Sequence, residues 1–266
     1  QDDAHIFCTP DQIESEVDGC IDFAFEVFKT YGFEKYVLEV STWDPAKPQD
    51  YSGVAADWDR ATAALEGVLK RRGIPYKLCP GEAAFYGPKI DMKLIDAIGR
   101  PWQLSTVQFD FNLPTKFDME FVGSDGGRHK PLMVHRALYG SIERFFGILV
   151  EHYAGAFPLW LAPVQVKVLT LTDAQDGPAK TLAEALTAAG LRVELDLRSE
   201  KIGHKIREAT LEKVPYMAVL GPRDVEAGVV SVRRRDGVQV NGLTADALVA
   251  KLAEEARSRA LAPSLS

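Results

Sequence analysis

The sequence predicts an α+β domain built on antiparallel strands, followed by a smaller α/β domain with a mixed sheet. Three observations carry this prediction. Strand pairs and amphipathic helices fill the first part of the chain, two prolines flank an apolar joint at 158–163, and strands then alternate with helices. We place the first domain at 1–161, the second at 162–260 and a loose tail at 261–266.

In the first domain, apolar residues at helical spacing predict helices, and short β-branched and aromatic runs predict strands. The predicted elements are helices over 11–31 and 57–72, a strand at 36–40, a polar loop at 42–54, strands at 88–97 and 102–111 joined by a turn at 98–101, and an apolar helix over 134–153. That last helix is apolar nearly all round, so we expect it to be buried.

The second domain begins with a strand and then alternates. Its predicted elements are strands at 164–172, 192–198, 216–220 and 229–235, and helices at 178–189, 201–214 and 244–259. Gly190 stands where glycine favours the end of a helix, and Thr244 is placed to cap the start of the last one.

Composition is that of an ordinary globular protein, with 46% hydrophobic and 26% charged residues. No apolar run reaches the roughly 20 residues that a membrane-spanning helix needs, and no signal peptide is visible. The three cysteines, Cys8, Cys20 and Cys79, are too few and odd in number for a disulfide framework. We therefore expect a cytoplasmic protein with no membrane partner.

Charge is unevenly distributed. Residues 1–161 carry 16 Lys and Arg against 24 Asp and Glu, whereas residues 162–266 carry 15 against 14. Net charge argues mildly against a nucleic-acid partner, because phosphate neutralisation supplies most of the affinity for nucleic acids. The basic residues of the second domain are clustered, which favours RNA binding; a solvated charged face is the alternative.

The apolar helix carries one arginine above small residues. Arg144 lies three positions from Ser141 and seven from Ala137, so a helix would place the three on one face. A buried guanidinium needs an anion or several acceptors. The sequence therefore predicts either an anionic ligand beside Arg144 or a structural ion pair with a carboxylate.

The first residues place polar groups on one strand face. Gln1, Asp3, His5 and Phe7 alternate, so an amide, a carboxylate and an imidazole point the same way. Such a row suits an ammonium group or a metal, since imidazole is a common Zn²⁺ ligand. A satisfied structural histidine is the alternative, and the His5–Cys8 spacing by itself is weak support for a zinc site.

A hairpin carries the third group of polar residues. Tyr86 precedes a Gly-Pro corner that would direct its hydroxyl outward. Gln103 and Gln108 have opposite parity along the second strand, so a regular strand would point them to opposite faces. Both can face one site only if a β-bulge lies between them.

Together these segments resemble threonyl-tRNA synthetases, a class II aminoacyl-tRNA synthetase family. The similar stretches are 1–8 (end of motif 2), 84–91 and 102–111 (strands before motif 3), 135–145 (motif 3), and 157–166 and 197–207 (entry into the anticodon-binding domain). The resemblance implies ligation of L-threonine to tRNA(Thr) through a threonyl-adenylate made from ATP. It also implies a class II core truncated at its N-terminus, followed by the α/β anticodon-binding domain.

The resemblance also implies roles for residues of the first domain. His5 and His135 match two ligands of one Zn²⁺ per subunit, whose third ligand is a cysteine outside this chain. Mg²⁺ accompanies ATP. The residues matched to the amino-acid pocket are Gln1, Asp3, Tyr86, Gln108 and Gln103. Arg144 matches the catalytic arginine that pairs with the ATP γ-phosphate, and Ser141 lies beneath the adenosine.

In the second domain the resemblance implies an anticodon surface. The matched residues are Ser199, Lys201, Arg207, Asp224 and Arg233. Ser199 and Asp224 stand where an asparagine and a glutamate are common in the family. These shorter side chains affect the details of base contact and not the identity of the domain.

The matched segments omit motif 1, which builds the dimer interface in the family that the chain resembles, and the first half of motif 2 with its ATP-binding arginine. We therefore expect the full-length protein to be a homodimer, and this chain alone to be inactive or weak, with an open sheet edge. Two alternatives stay open: a non-catalytic paralogue that binds tRNA or another RNA, and a class II synthetase for another amino acid, such as proline, histidine or glycine.

Overall fold

The computed structural model describes residues 1–265 and divides into two compact units, Gln1–His152 and the residues from Tyr153 onward. Within the described part of the chain, no helix is long and apolar enough to cross a membrane. Each unit has its own sheet, which confirms the predicted order of an antiparallel core followed by an α/β domain.

The first unit is built on a six-stranded sheet of order β1-β8-β5-β4-β2-β3, with a separate β6–β7 hairpin. Its elements are β1 Ala4–Cys8, α1 Ile13–Thr30, β2 Tyr36–Thr42, α2 Ala55–Arg71, β3 Tyr76–Pro80, β4 Lys89–Ile95, β5 Pro101–Asp110, α3 Leu113–Lys116, β6 Phe121–Val122, β7 Arg128–His129, β8 Leu132–Ala137 and α4 Ile142–His152. Neighbouring strands run antiparallel except β2 and β3.

One face of this sheet is apolar and the other polar, because successive strand residues alternate sides. Ile90 and Met92 of β4 are fully buried on the face that α1 and α2 cover. Lys89 and Asp91 point to the opposite face. The helices α1 and α2 thus occupy one side of the sheet, and its polar groups share the other.

The long helix predicted over 134–153 is wrong over its first two fifths, residues 134–141. Residues Leu132–Ala137 form the strand β8, and the helix begins only at Ile142, after a turn in which Gly140 has φ of +62°. A short apolar run does not distinguish a buried strand from a buried helix, and in this chain the run pairs as a strand of the sheet. The helix is also half-exposed rather than buried: Phe146 keeps 60% of its surface exposed.

The second unit carries a five-stranded sheet of order β10-β9-β11-β12-β13, parallel at first and antiparallel afterwards. Its elements are β9 Val166–Thr170, α5 Asp176–Ala188, β10 Val193–Asp196, α6 Ile202–Leu211, β11 Tyr216–Leu220, α7 Pro222–Ala227, β12 Val230–Arg234, β13 Gln239–Leu243 and α8 Ala245–Arg257. Thr244 caps α8 as expected, its Oγ1 accepting the Ala247 N–H at 3.2 Å.

Helices cover both faces of this sheet. Leu182 of α5 and Leu248 of α8 pack in the larger core. Ala209 of α6 packs on the other face against Leu169 and Met217. The side chains around α6 therefore lie on the opposite sheet face from those around α8.

The described part of the C-terminal tail, residues 261–265, is anchored, which corrects the expectation that the tail is loose. Leu265 is 2% exposed and belongs to the larger core. The backbone N–H and Oγ of Ser264 donate to the buried carboxylate of Glu255 at 2.8 and 2.6 Å, and Tyr216 Oη donates to it at 2.7 Å. A buried carboxylate needs donors, and the tail provides two of them.

Candidate active site

A line of polar side chains crosses the first sheet from strand to strand. The register pairs His5 with His135, His135 with Gln108, Gln108 with Lys89, and Lys89 with Ser41. Directly paired residues share a sheet face, so all five point to the side that the helices leave open. The sequence placed His5 and Gln108 in separate segments; the pairing brings them together.

The two histidines lie at one end of this line. Their ring centroids are 4.5 Å apart in an edge-to-face arrangement. Asp3, His5 and His135 each offer a ligand atom, and these atoms lie within 4.8 Å of one another. Two imidazoles and a carboxylate are donors that suit Zn²⁺. The residues present therefore fit a zinc ion.

Asp110 orients His135. Its Oδ2 lies 2.8 Å from His135 Nε2, and its Oδ1 accepts the backbone N–H groups of Asn112 and Leu113. With Nε2 engaged by a carboxylate, Nδ1 is the nitrogen left for a metal, and such carboxylates commonly fix metal-binding imidazoles. Asp110 was not among the site residues predicted from the sequence, although it has the same strand parity as Gln108.

A capped turn carries the chain from β8 to α4. Asp2 accepts the backbone N–H groups of Leu138 and Tyr139 at 2.9 and 3.0 Å. Gly140 follows, and a Cβ there would lie 2.7 Å from Leu104 O, so only glycine fits. The turn delivers Ser141 to the start of α4.

Arg144 stands at the other end of the site. Its Nη1 donates to Gln103 O at 3.1 Å, and its guanidinium lies 5.9 Å from the centroid of Trp102. It is exposed rather than buried, because α4 starts at the rim of the sheet. The structural ion pair considered from the sequence is replaced by these backbone and ring contacts, which leave the guanidinium facing the cavity.

The two glutamines of β5 face the same side because a β-bulge separates them. Ser105 pairs with Met92, whereas Gln103 pairs with the next residue of β4, Lys93, so Leu104 is the extra residue. The bulge reverses the parity of the strand. Gln103 and Gln108 thus both reach the site, which meets the condition that the sequence set.

Tyr86 completes the wall beside Gln108. Its hydroxyl donates to Gln108 Oε1 at 3.0 Å. Burial, together with the carboxylates of Asp110 and Asp3, raises the pKa of Tyr86 above its ordinary value. The hydroxyl therefore stays protonated at neutral pH and remains a hydrogen-bond donor.

A cavity of about 370 Å³ opens on this face. The residues that line it are Gln1, Asp3, Ala84, Tyr86, Lys89, Gln103, Leu104, Thr106, Gln108, His135, Ala137, Gly140, Ser141 and Arg144. It includes every site residue predicted for the first domain except His5, which stands beside His135. Its volume suits a small molecule with several polar groups.

Three of the five residues predicted for the anticodon surface lie on or before α6. Ser199 and Lys201 are exposed just before the helix, and Arg207 is exposed on it. Lys205, a further basic residue of α6, is by contrast 1% exposed and donates to Thr170 O and Asp196 O. It fastens α6 to the ends of β9 and β10.

The other two residues lie beyond β11. Arg233 pairs with Met217, so it shares the sheet face that α6 covers. Asp224 accepts the Gly221 N–H at 2.9 Å and the Ser231 hydroxyl at 2.7 Å. In this structure the Asp224 carboxylate holds the start of α7, a structural role that the sequence did not predict.

Known families match both units. Residues 1–153 match the tRNA synthetase class II core domain (G, H, P, S and T), and residues 165–255 match an anticodon binding domain. The chain belongs to the class II tRNA synthetase family.

Within this class II family, the chain is similar to curated proteins named threonine–tRNA ligase. The protein of Acidobacterium capsulatum is 57% identical over 251 residues, covering 94% of this chain and 37% of its own length. That of Magnetococcus marinus is 54% identical over 264 residues, covering 99% and 40%. The chain thus spans about two fifths of the length of these curated relatives.

Solved structures agree with the fold. A structure described as the RNA binding domain of threonyl-tRNA synthetase from Cryptosporidium parvum Iowa II is 37% identical, with a TM-score of 0.91 over 99% of this chain and 64% of that one. A prolyl-tRNA synthetase from Cryptosporidium parvum, at 20% identity and a TM-score of 0.65, shares the fold.

Proposed function

We propose that the full-length protein ligates L-threonine to tRNA(Thr), forming threonyl-adenylate from ATP with Mg²⁺ and then transferring threonine to the tRNA 3′ end. The observation that carries this proposal is the pair His5 and His135 at one end of a cavity that has Arg144 at the other. The relatives named as threonine–tRNA ligases support it.

In this proposal the histidine end binds the amino acid. His5 and His135 would hold Zn²⁺, with a cysteine outside this chain as the third protein ligand. A bound zinc ion would supply a Lewis-acid site for the amino group and hydroxyl of threonine. Valine is nearly isosteric but lacks the hydroxyl, and a site built around such a polar group rejects the analogue by several orders of magnitude.

The chain's own residues complete this pocket. We assign the threonine ammonium to Asp3, with Gln1 and Tyr86 beside it. The Tyr86–Gln108 hydrogen bond fixes both side chains in the wall of the cavity. Fixed polar groups raise the rate by holding the reacting groups in a productive geometry.

The Arg144 end binds ATP. Its guanidinium would pair with the γ-phosphate, and Ser141 would lie beneath the adenosine. The 3.1 Å bond to Gln103 O and the nearby Trp102 ring restrict the arginine before ATP arrives. A guanidinium held in this way offers a planar fork of donors to phosphate oxygens.

The second unit would bind the anticodon through Ser199, Lys201, Arg207 and Arg233. Guanidinium planes and charged edges suit unstacked single-stranded bases. Asp224, which accepts two hydrogen bonds from within this unit, would act by shaping the surface.

Three free, buried cysteines among the described residues fit the cytoplasmic setting that we propose. We propose a homodimer for the full-length protein.

The test is zinc content together with ATP–pyrophosphate exchange, measured on the purified full-length gene product. We expect about one zinc per subunit, exchange with threonine but not with valine, and loss of both properties in His135→Ala. Exchange with proline, histidine or glycine would replace the threonine assignment. Zinc-free protein that binds tRNA without exchange would favour the non-catalytic alternative.

A further inference from the structure

Asp91 is a buried carboxylate at the centre of the polar sheet face. It is 2% exposed and takes no part in lining the cavity. Its Oδ1 accepts Gln103 Nε2 at 2.5 Å and Thr106 Oγ1 at 2.9 Å. Its Oδ2 accepts Lys89 Nζ at 2.6 Å and Ser41 Oγ at 3.1 Å. Four donors from three strands thus converge on one side chain.

Three of these donors belong to cavity residues: Lys89, Gln103 and Thr106. Lys89 stands opposite Gln108, and the backbone of Gln103 accepts Arg144. Asp91 therefore connects side chains that serve the two ends of the cavity. The β-bulge at Leu104 is what brings Gln103 within reach of it.

A carboxylate offers about four acceptor sites, and a buried one must have them paired and hydrogen-bonded. Lys89 and Ser41 fill the sites on Oδ2, and the Gln103 amide and the Thr106 hydroxyl fill those on Oδ1. The same bonds hold the side chains of these donors in a single orientation. Ordered side chains of this kind preorganise a site.

We propose that Asp91 is a positioning residue of the active site, which fixes the Lys89 ammonium and the Gln103 amide between the amino-acid end and the ATP end of the cavity. This inference rests on the proposed function. Asp91 acts through its neighbours and touches neither substrate.

The test is Asp91→Asn in the full-length gene product, assayed by threonine-dependent ATP–pyrophosphate exchange. An asparagine keeps the shape but turns an amide N–H₂ towards Lys89 or Gln103, which are donors themselves, so at least one of them must move. Displacements of about 1 Å cost on the order of a hundredfold in rate. We expect a tenfold to hundredfold lower rate per active site, where active sites are counted by the burst of adenylate formed in a single turnover.

The matched control is Glu39→Gln. Glu39 pairs with Asp91 on the same sheet face and accepts Lys93 Nζ at 2.5 Å, but neither Glu39 nor Lys93 lines the cavity. Its rate per active site should equal that of the wild type. A second variant, Ser41→Ala, removes one donor to Asp91 from outside the cavity, and we expect a severalfold loss.

The readout separates positioning from stability. A purely structural Asp91 would lower the burst amplitude and the melting temperature while leaving the rate per active site unchanged, and that result overturns the proposal. If Asp91→Asn does not fold, Ser41→Ala decides alone by the same criterion. Failure of the wild type to exchange with threonine would instead overturn the proposed function.

Discussion

His135 Nε2 lies 2.8 Å from Asp110 Oδ2. Asp110 does not line the cavity, but by engaging Nε2 it leaves Nδ1 as the imidazole nitrogen that can face a metal. Asp110 is itself fixed by two backbone N–H groups. The orientation of His135 is therefore determined by the end of β5 and not by β8 alone.

From this contact we predict that Asp110→Asn weakens zinc binding. Loss of such a carboxylate typically costs about 10- to 100-fold in metal affinity. The measurement is a competition titration of the full-length protein with a zinc chelator. The matched control is Asp125→Asn, which alters a similar pair with His129 at 2.9 Å in an exposed hairpin. Equal zinc affinity in the two variants would contradict the orienting role.

A second prediction separates two roles for Asp3. Its carboxylate is close enough to both histidines to bind a metal, yet we assign it to the threonine ammonium. In Asp3→Asn we expect unchanged zinc content and a KM for threonine raised by about 10- to 100-fold, since hydrogen bonds to charged groups contribute about 1.5–3 kcal/mol. Zinc analysis and exchange kinetics on one preparation decide it. Loss of zinc would make Asp3 a ligand.

A third prediction concerns the corner before β4. A Cβ on Gly87 would lie 1.8 Å from Phe109 O, so the two chain segments touch backbone to backbone. Gly87→Ala must push β4 and β5 apart beside Tyr86. We expect the free energy of unfolding to fall by at least about 3 kcal/mol.

The control for this corner is Gly19→Ala. Gly19 lies within α1, and a Cβ there meets nothing within 4 Å. Alanine in a helix interior is favoured over glycine by about 0.5–1 kcal/mol, so this variant should be more stable. Urea unfolding of both variants checks the pair. Equal stability of the two would contradict the close contact at Gly87.

The sequence predicted the helices and strands that have a clear hydrophobic periodicity. It missed strands that form only by pairing with a neighbouring strand. The helix over 11–31 and the strand at 216–220 are confirmed, with ends displaced by at most two residues. β3 and β13 were not predicted, because five-residue strands at the edge of a sheet carry little periodic signal. The error at 134–153 arose because a buried strand and a buried helix are equally apolar.

The site divides in the same way. His5 and His135 could be selected from residue type and resemblance, and their pairing across β1 and β8 confirms that they meet. Asp91 and Asp110 could not be selected, since the role of a carboxylate in a strand depends on which donors it accepts, and the sequence alone does not show them. Four donors reach Asp91 from residues up to 50 positions away.

A fourth prediction tests the RNA-binding surface that we propose for the second unit. Lys201 is exposed at the start of α6, whereas Lys251 is exposed on α8, which packs on the opposite sheet face. Lys201→Ala should weaken tRNA binding and reduce the salt dependence of log Kd by about one unit, as expected for one lost phosphate contact. Lys251→Ala should do neither. Filter binding at several salt concentrations distinguishes them. Equal slopes of log Kd against log salt concentration for the two variants would show that Lys201 is not part of the RNA-binding surface.

The last prediction concerns acid stability of the second unit. Hydrogen bonds from Arg198, with the charge of Lys205 nearby, lower the pKa of Asp196 from 3.8 to about 2, against the opposing effect of burial. A lowered folded-state pKa contributes stability above the unfolded value of 3.8 that is lost as the pH falls towards 2. The contribution is about 2 kcal/mol, since one pKa unit corresponds to about 1.4 kcal/mol.

We therefore expect the wild-type chain to lose up to about 2 kcal/mol of unfolding free energy between pH 4 and pH 2 through this one carboxylate. Asp196→Asn should be less stable at pH 7 and should lack that part of the acid dependence, because its amide does not titrate. The control Glu184→Gln replaces an exposed carboxylate on α5 and should keep the wild-type profile. Urea unfolding at pH 7, 4 and 2 measures all three proteins, and parallel profiles for wild type and Asp196→Asn would show that this carboxylate does not set the acid limit.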